Sequence, residues 1–233
     1  MSLAPTQETE SQGPSNRPYV ADRPDCLPKR KSLFSRLDRL VTWRIQKADH
    51  STLEWTDEWK IDCLERTTGN VVAGLKIFRS HLKQQPTPLD WYCRCSRVVF
   101  ESDTIRQRHA TALNALIEST GSLPNYIGSL SVEPAYRTLG IAPLMCQAVG
   151  AFSELNGWNH GVTFATTDYG AAKMYCRMGA VPVLGGDAEF QCTYRQDRLI
   201  LLLLKPNSCP DSRIREAHEQ FLNRWRQNLS GPV

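Results

Sequence analysis

Two neighbouring stretches in the first third of the chain alternate hydrophobic with polar residues. They cover residues 59–63 and 71–77, and the sequence Thr-Thr-Gly-Asn at 67–70 separates them. Strict alternation places one face of a strand against a core and the other against solvent. A glycine-containing turn between two such strands is typical of a β-hairpin. The pattern therefore predicts a hairpin over residues 59–77.

Helices are predicted where hydrophobic residues recur every three or four positions and so share one helical face. Five segments show this pattern: residues 32–46, 102–119, 141–156, 168–178 and 214–225. Gly157 and Gly179 are natural helix ends, and Asp168 is a suitable N-cap. Hydrophobic runs predict further strands at residues 93–100, 126–132, 162–166 and 199–204. A pair of strands followed by alternating helices and strands predicts a mixed α/β layer fold.

Length and composition fit one domain with short extensions. The chain has 233 residues, of which 41% are hydrophobic and 22% charged, enough apolar side chains to form a core. Residues 1–30 combine five prolines with polar residues, so we expect a disordered tail there. Residues 31–207 are then the folded domain, and residues 208–233 a C-terminal amphipathic helix.

Several classes of protein are disfavoured by the same numbers. The net charge of +4 is dispersed, whereas nucleic-acid binders concentrate it in a stripe. The longest apolar run, Leu199–Leu204, is too short to cross a bilayer, and no signal sequence is recognisable, so a cytoplasmic protein is expected. None of the eight cysteines forms a C-x-x-C pair and the five histidines are scattered. We therefore expect no metal site and reduced, buried or idle thiols.

Residues 132–142 carry the most informative pattern, because they follow a predicted strand and open a predicted helix. The N–H groups from Arg137 to Ala142 have no partner within the helix, and they converge at the positive end of its dipole. Gly140 allows a ligand to approach the backbone closely, and Arg137 adds a full positive charge. Such a turn suits an anion, in particular a diphosphate.

The spacing of this turn resembles a known motif. The sequence reads R-x-x-G-x-A from Arg137 to Ala142, preceded by V-x-P-x-Y. This resembles the loop that binds the diphosphate of coenzyme A in the GNAT superfamily of acyltransferases, whose pattern is Q/R-x-x-G-x-G/A.

A second stretch resembles the other motif of that superfamily, N-x-x-A-x-x-x-Y-x-K-x-G-F. Here Ala171, Tyr175, Arg177 and Gly179 fall in register, while Asp168 replaces the usual Asn. Two motifs in this order imply a GNAT fold, a central, mostly antiparallel and splayed sheet flanked by helices. The resemblance covers residues 43–204.

The resemblance also implies an activity. In GNAT enzymes the pantetheine arm of the donor lies between two splayed strands, and an amine attacks the thioester without a covalent enzyme intermediate. Tyr175 takes the position of the tyrosine that protonates the leaving thiolate. No permanently bound cofactor is implied, and the co-substrate is acyl-CoA or an acyl carrier protein. The resemblance assigns contacts with this donor to nine residues: Leu130, Val132, Arg137, Thr138, Leu139, Gly140, Ile141, Ala142 and Asp168.

The general base is left open by the sequence. Glu101 and Asp103 follow a predicted strand, and Glu133 lies in the turn. A water molecule relayed by the backbone or by Ser129 would serve equally well.

A weaker resemblance concerns the substrates. Residues 68–76 and 95–99 are similar to the branch of acyl-homoserine-lactone synthases and long-chain N-acyl amino acid synthases. Lys76 replaces an Arg of that branch, and Arg94 replaces a Glu that could engage a substrate ammonium group. Arg97 matches an Arg of the branch, and we expect it to bind the carboxylate of the acceptor.

Three hypotheses follow. The first is an N-acyltransferase with a long acyl donor and an amino acid or similar small amine as acceptor. The second is an acetyl-CoA-dependent N-acetyltransferase of a small amine or a protein. The third is a GNAT-fold module that binds partners without catalysis, which the intact set Arg137, Gly140, Ala142 and Tyr175 disfavours.

Overall fold

The fold is known from a computed structural model. It describes residues 36–51, 53, 55–81, 87–158, 160–168, 170–185, 190–191, 196–205 and 208–229. These residues belong to a compact unit that spans Lys31–Val233. The predicted tail, residues 1–30, lies outside the described residues.

Eight strands of the described residues form one sheet in the order β1-β2-β3-β4-β5-β8-β6, with β7 also paired to β8. Neighbours are antiparallel except β4 and β5, which are parallel. The strands are β1 Val41–Lys47, β2 Thr56–Glu65, β3 Val71–Ser80, β4 Asn125–Val132, β5 Gly161–Thr166, β6 Val181–Pro182, β7 Phe190–Gln191 and β8 Arg198–Leu204. This is the mixed α/β, mostly antiparallel sheet that the sequence predicts.

Five helices of the described residues accompany the sheet: α1 Pro88–Ser96, α2 Asp103–Thr120, α3 Ile141–Leu155, α4 Ala171–Arg177 and α5 Ser212–Leu229. The residues Leu144, Ala148 and Phe152 recur every four positions along α3, which buries this face in the largest core cluster. Helix α5 packs on α3 in the same cluster, where Phe152 and Trp225 meet edge to face. Helices α1 and α2 contribute to a second cluster with Phe78, Tyr126 and Val162.

Two predicted elements are wrong. The helix predicted over residues 32–46 is replaced, from Val41 onwards, by strand β1. Residues 41–46 are Val-Thr-Trp-Arg-Ile-Gln, in which hydrophobic and polar residues alternate, and three of the six are β-branched, which favours a strand. Cross-strand pairing then allows Arg44 to form an ion pair with the fully buried Asp62 at 2.8 Å.

The second correction concerns residues 93–100, predicted as a strand. Residues up to Ser96 belong to helix α1, which begins with Thr87 as N-cap and Pro88 in its first turn. The Thr87 side chain accepts a hydrogen bond from the N–H of Asp90, and proline is well tolerated in a first helical turn. The buried side chains of Trp91 and Tyr92 then fix the helix to the sheet by donating to Thr56 Oγ1 and to the carbonyl of Pro124.

Gly179 ends the segment that carries Tyr175, and we expect its replacement to destabilise the protein. Its φ is 88°, and a Cβ atom there would lie 2.3 Å from the carbonyl oxygen of Ser208. Gly179→Ala should lower the free energy of unfolding by about 3 kcal/mol, since left-handed strain and a backbone clash add. Gly121→Ala is the matched control, because φ is 68° but nothing lies within 4 Å of its Cβ position. Thermal melts of both variants measure the difference; equal shifts would contradict this explanation.

Candidate active site

Strands β4 and β5 pair at their beginnings and then diverge. Their register contains only Asn125 opposite Gly161 and Tyr126 opposite Val162, although both strands continue for several residues. Beyond these pairs lies a cleft of about 600 Å³. Residues 128–130 of β4 form one wall and residues 163–166 of β5 the other. The two walls expose strand edges that are not paired with each other.

A β-bulge interrupts β4 beside this cleft. Gly74 and Lys76 of β3 are two positions apart, but their partners Ser131 and Gly128 are three positions apart. The extra residue is therefore in β4, and Ser129 has a φ of 56°. A left-handed backbone is uncommon for a residue other than glycine and often occurs at functional sites. The bulge turns the backbone of Ser129 and Leu130 out of the regular ladder with β3.

The turn between β4 and α3 has the geometry expected of an anion site. After the 3-10 turn Pro134–Tyr136, Thr138 has a φ of 69° and Gly140 a φ of 85°, and α3 starts at Ile141. The N–H groups of Ile141 and Ala142 belong to the first turn of the helix and have no intrahelical acceptor. They point out of the positive end of a 15-residue helix.

One backbone N–H group of this turn differs from the prediction. The N–H of Arg137 donates to the carbonyl of Pro134 at 3.3 Å, so it is not available to a ligand. The Arg137 side chain donates from Nε to the carbonyl of Val132 at 3.1 Å, which places its guanidinium group beside the end of β4. Thr138 and Leu139 are exposed.

A contact that the sequence does not reveal fixes this turn to the β2–β3 hairpin. The Tyr136 hydroxyl donates to Glu65 Oε1 at 2.5 Å, and the Thr68 hydroxyl donates to Glu65 Oε2 at 2.6 Å. These two hydrogen bonds, from Thr68 and Tyr136, hold the pKa of the half-buried Glu65 below its usual range. In addition, the N–H of Glu133 donates to the carbonyl of Val72.

Tyr175 lies in the wall of the cleft. It is a buried residue of α4, 4% exposed, and lines the cleft together with Thr163, Ala165 and Ala171. Burial raises the pKa of Tyr175 well above its usual value, and the nearby Cys146 adds to this, while an interaction with the Thr163 hydroxyl opposes it. The phenol is therefore less readily deprotonated than an ordinary tyrosine, which disfavours a role as a base.

Asp168 has a different environment from the one predicted. Helix α4 begins at Ala171 after Gly170, so Asp168 is not its N-cap. Instead, the Asp168 carboxylate accepts from the backbone N–H, Nε and Nη2 of Arg198 at 2.7–2.9 Å. The first of these hydrogen bonds, from the backbone N–H, contributes most to lowering the pKa of Asp168. Its carboxylate thus joins the ends of β5 and β8, and contact with the donor stays a prediction.

Basic side chains collect at the α1 side of the cleft. Arg97 is the C-cap of α1 with a φ of 59°, rather than a strand residue, and it lines the cleft with Arg94 and Lys76. Lys76 forms an ion pair of 2.5 Å with Glu58, whose carboxylate is largely buried. Asp197 lines the same cleft.

The predicted candidates for the general base are not among the residues that line the cleft. Glu101 and Glu133 are exposed, and Asp103 is the first residue of α2 and lies on its outer surface. Ser129 does line the cleft. A water molecule relayed by Ser129 or the backbone stays a prediction.

Two other kinds of site are not found in the part of the chain that the structure describes. No group of three or more His, Cys, Asp or Glu side chains there is arranged to hold a metal ion. No described helix is long and apolar enough to span a membrane. Cys95 at the cleft and Cys146 near Tyr175 are thiols that take part in no disulfide bond.

No protein-family model and no curated protein matches the sequence. Among solved structures, the chain is similar to a CoA-dependent acyl-homoserine lactone synthase, BjaI, with 13% identity and a TM-score of 0.41 over 75% of this chain and 68% of that one. It is also similar to a NatC complex chain bound to Gag peptide and CoA, with 16% identity and a TM-score of 0.39 over 63% and 70%. A spermidine N-acetyltransferase from Vibrio cholerae, in complex with CoA and spermine, has 10% identity and a TM-score of 0.38 over 65% and 67%.

Similarity at this level does not bear on substrate or activity. The architecture of the chain itself is the one that its two motifs predict. The sheet is mostly antiparallel, it splays after the first pairs of β4 and β5, and the glycine turn opens α3 directly after β4. This mixed α/β arrangement matches the fold that the resemblance to the GNAT superfamily implies.

Proposed function

We propose that this protein is an N-acyltransferase that binds a pantetheine thioester between β4 and β5 and transfers its acyl group to an amine. One observation carries the proposal. The splayed strands form a cleft whose walls hold both the bulge at Ser129 and the protonated phenol of Tyr175. A thioester in this cleft would lie next to unpaired backbone donors and a proton donor, the two groups that acyl transfer to an amine needs.

The donor would be held at two places. Its diphosphate binds at the start of α3, to the N–H groups of Ile141 and Ala142 and to the Arg137 guanidinium group. Its pantetheine arm adds to the free edge of β4 from Leu130 to Val132, where amide groups can pair as in an added strand. These contacts place the thioester carbonyl at the bulge, where unpaired backbone N–H groups stabilise the developing oxyanion.

The reaction is then a direct aminolysis. The neutral amine attacks the carbonyl carbon, a C–N bond forms and the C–S bond breaks. The amine loses one proton to a water molecule near Ser129, Tyr175 gives its proton to the leaving thiolate, and the proton taken up by water returns through solvent to the Tyr175 phenolate. Cys95 does not act as a nucleophile in this scheme, because burial raises its pKa to about 12 and keeps it a thiol.

The charged side chains at the acceptor end of the cleft favour an acceptor amine that also carries a carboxylate. Arg94, Arg97 and Lys76 are cationic; Lys76 forms an ion pair with Glu58, and Asp197 adds one negative charge to the lining of the cleft, so the three basic side chains outnumber it. Such a surface repels polycationic amines and favours a carboxylate, which arginine binds in bidentate fashion. We therefore infer that the acceptor is an amino acid and the product an N-acyl amino acid, which the branch resemblance also implies.

The aminolysis itself requires only a thioester and is the same for either donor of the sequence hypotheses. A fatty acyl group on coenzyme A or on an acyl carrier protein is the donor that the branch resemblance implies. Acetyl-CoA is the second candidate, and the aromatic side chains below the bulge favour it.

The proposal is tested by mixing the purified protein with acetyl-CoA, octanoyl-CoA or palmitoyl-CoA and a pool of amino acids and amines. Free thiol and acyl-amine products are followed together, the latter by mass spectrometry. We expect one amide formed for each thiol released. A lack of transfer from coenzyme A donors and from the matching acyl carrier protein thioesters would favour the non-catalytic module.

The charge of the acceptor site makes a separate prediction. Phenylalanine and phenethylamine differ only in the carboxylate, so the ratio of their kcat/KM values isolates its recognition. In the double variant Arg94→Gln, Arg97→Gln, this ratio should fall by about 10–100-fold, because two charge-assisted contacts are lost. Lysine substitutions at both positions are the matched control and should retain part of the preference. A ratio that the Gln variant leaves unchanged would contradict recognition of the carboxylate by these arginines.

A further inference from the structure

The aromatic ring of Tyr126 fills the space directly below the bulge. A Cβ atom at Gly128 would lie 2.6 Å from Cε1 of Tyr126 and 2.9 Å from its hydroxyl oxygen. The ring therefore occupies the volume that a side chain at position 128 would take, one residue before Ser129. Gly128 is compatible with this arrangement because it has no side chain.

Aromatic side chains of β3, α1 and β5 surround the Tyr126 ring. The ring centroids of Phe78, Tyr92 and Phe164 lie 5.8, 6.3 and 6.3 Å from that of Tyr126. Phe78 and Tyr126 are 5% exposed and Tyr92 is fully buried. Burial raises the pKa of Tyr126, so its hydroxyl stays neutral. We call Phe78, Tyr92, Tyr126 and Phe164 the aromatic floor of the cleft.

The aromatic floor lies between the two ends of the cleft, and this position determines which part of the substrate contacts it. Leu130, Ala165 and Tyr175 pack together on the α4 side of the sheet, where the pantetheine arm would lie. Arg94, Arg97 and Lys76 line the opposite end, where the acceptor would bind. The acyl group starts at the thioester carbonyl between these two ends, so it lies over the aromatic floor.

Space in the cleft is limited as well. The whole volume of about 600 Å³ must hold the pantetheine arm, the acyl group and the acceptor. A long acyl chain would have to displace the closely packed rings. Inserting extra methylene groups into such a close-packed interior is energetically unfavourable.

We infer that Tyr126 limits the length of the acyl group, so that the protein transfers acyl groups of a few carbons and rejects long chains. This inference rests on the proposed function and specifies its donor class. Tyr126 is then a specificity-determining residue, whose ring acts by occupying space below the thioester. The acyl group of the product is short, and the long-chain donor of the branch resemblance is excluded by this floor.

The test is a series of acetyl-, butyryl-, octanoyl- and palmitoyl-CoA with the acceptor found in the pooled assay. The measured quantity is the ratio of kcat/KM for octanoyl-CoA to that for acetyl-CoA, which does not depend on the fraction of folded enzyme. In the wild type we expect a ratio of about 0.01 or less, since several methylene groups are excluded. Tyr126→Phe keeps the ring and should keep this low ratio. Tyr126→Ala should raise it at least about tenfold.

Tyr126→Leu is the second enlarging variant, because the larger cavity of Tyr126→Ala could prevent folding. It keeps an apolar side chain in the floor, and a thermal melt shows whether it is folded. The ratio should rise in this variant too.

The possible failures are distinguishable. A wild type that transfers palmitoyl or octanoyl groups as well as acetyl would overturn the inference and leave the proposed function intact, and so would a ratio that neither enlarging variant changes. Absence of transfer from every donor would overturn the proposed function and this inference with it.

Discussion

Gly140→Asp is expected to raise the Kd of a coenzyme A donor by about 100-fold, or about 2.7 kcal/mol. The substitution places a negative charge at the N-terminus of α3, where the diphosphate would bind, and like charges a few ångströms apart near a protein surface repel by energies of this order. Gly140→Asn is the matched control. Asn has the same shape and tolerates the left-handed backbone at φ 85°, so it should weaken binding much less.

A donor without the diphosphate completes this test. S-acetylpantetheine presents the same thioester but lacks the group that the α3 turn would bind. We expect Gly140→Asp and Gly140→Asn to use it equally well, each with the high KM of a truncated substrate. If Gly140→Asp impaired S-acetylpantetheine as strongly as acetyl-CoA, the turn would act through stability or shape and not through binding of the diphosphate.

Tyr175→Phe is expected to lower kcat by about 10²–10³-fold, the range of a general acid, while the Kd of the donor stays nearly the same. The ring packs in a cluster with Ala165, Ala172 and Ile200, and Phe preserves that packing. The effect should therefore appear in single-turnover rates and not in thermal stability. A large fall in melting temperature together with a small loss of kcat would instead identify Tyr175 as a structural residue.

The acidity of the leaving group distinguishes general-acid catalysis from other causes. An aryl thioester releases a thiol more acidic than that of coenzyme A, so its departure needs little protonation. The ratio of wild-type to Tyr175→Phe rates should be much smaller for this donor than for an alkyl thioester. An equal ratio for both donors would contradict proton transfer from Tyr175.

The pH dependence follows from the same burial. Burial raises the pKa of Tyr175 well above the usual value, so the active, protonated form persists as the pH rises. We expect kcat to show no fall at or below the ordinary titration range of tyrosine, near pH 10. Any rise at lower pH would report deprotonation of the amine acceptor, and its midpoint should move with the pKa of the amine chosen.

Much of the donor site was predictable because it is encoded locally. The turn around Gly140 and the helix after it depend on backbone conformation and on hydrophobic spacing, both of which a short stretch of sequence determines. Tyr175 could be placed on a helix because Ala171 and Gly179 lie at fixed spacings from it. The helix after Gly140 was located within one residue at each end, and the helix that carries Tyr175 begins three residues later than predicted.

The acceptor side was less predictable because its residues converge only in the folded chain. Lys76 comes from β3, whereas Arg94 and Arg97 come from α1, and a strand had been expected in place of α1. The signal for that helix was Thr87-Pro88 followed by Asp90, a capped N-terminus with proline in the first turn. Because this helix ends at Ser96, Arg97 is its C-cap and not a strand residue.

The aromatic floor was not foreseeable from local patterns. Tyr126 and Gly128 are alternate residues of a strand that was correctly predicted, but only the contacts with Phe78, Tyr92 and Phe164 show that the ring fills the place below the bulge. The bulge itself depends on the register with β3. Strand periodicity predicts which face a residue occupies, but not where the ladder is interrupted.

The central claim is that the cleft between β4 and β5 receives the pantetheine thioester, and a crystal structure with S-(2-oxopropyl)-coenzyme A, a stable analogue of acetyl-CoA, tests it most directly. We predict the diphosphate at the N–H groups of Ile141 and Ala142, the pantetheine arm along β4 from Leu130 to Val132, and the ketone at the Ser129 bulge within reach of the Tyr175 hydroxyl. An analogue bound elsewhere, or a cleft that stays free of ligand while the analogue binds with measurable affinity, would contradict the account.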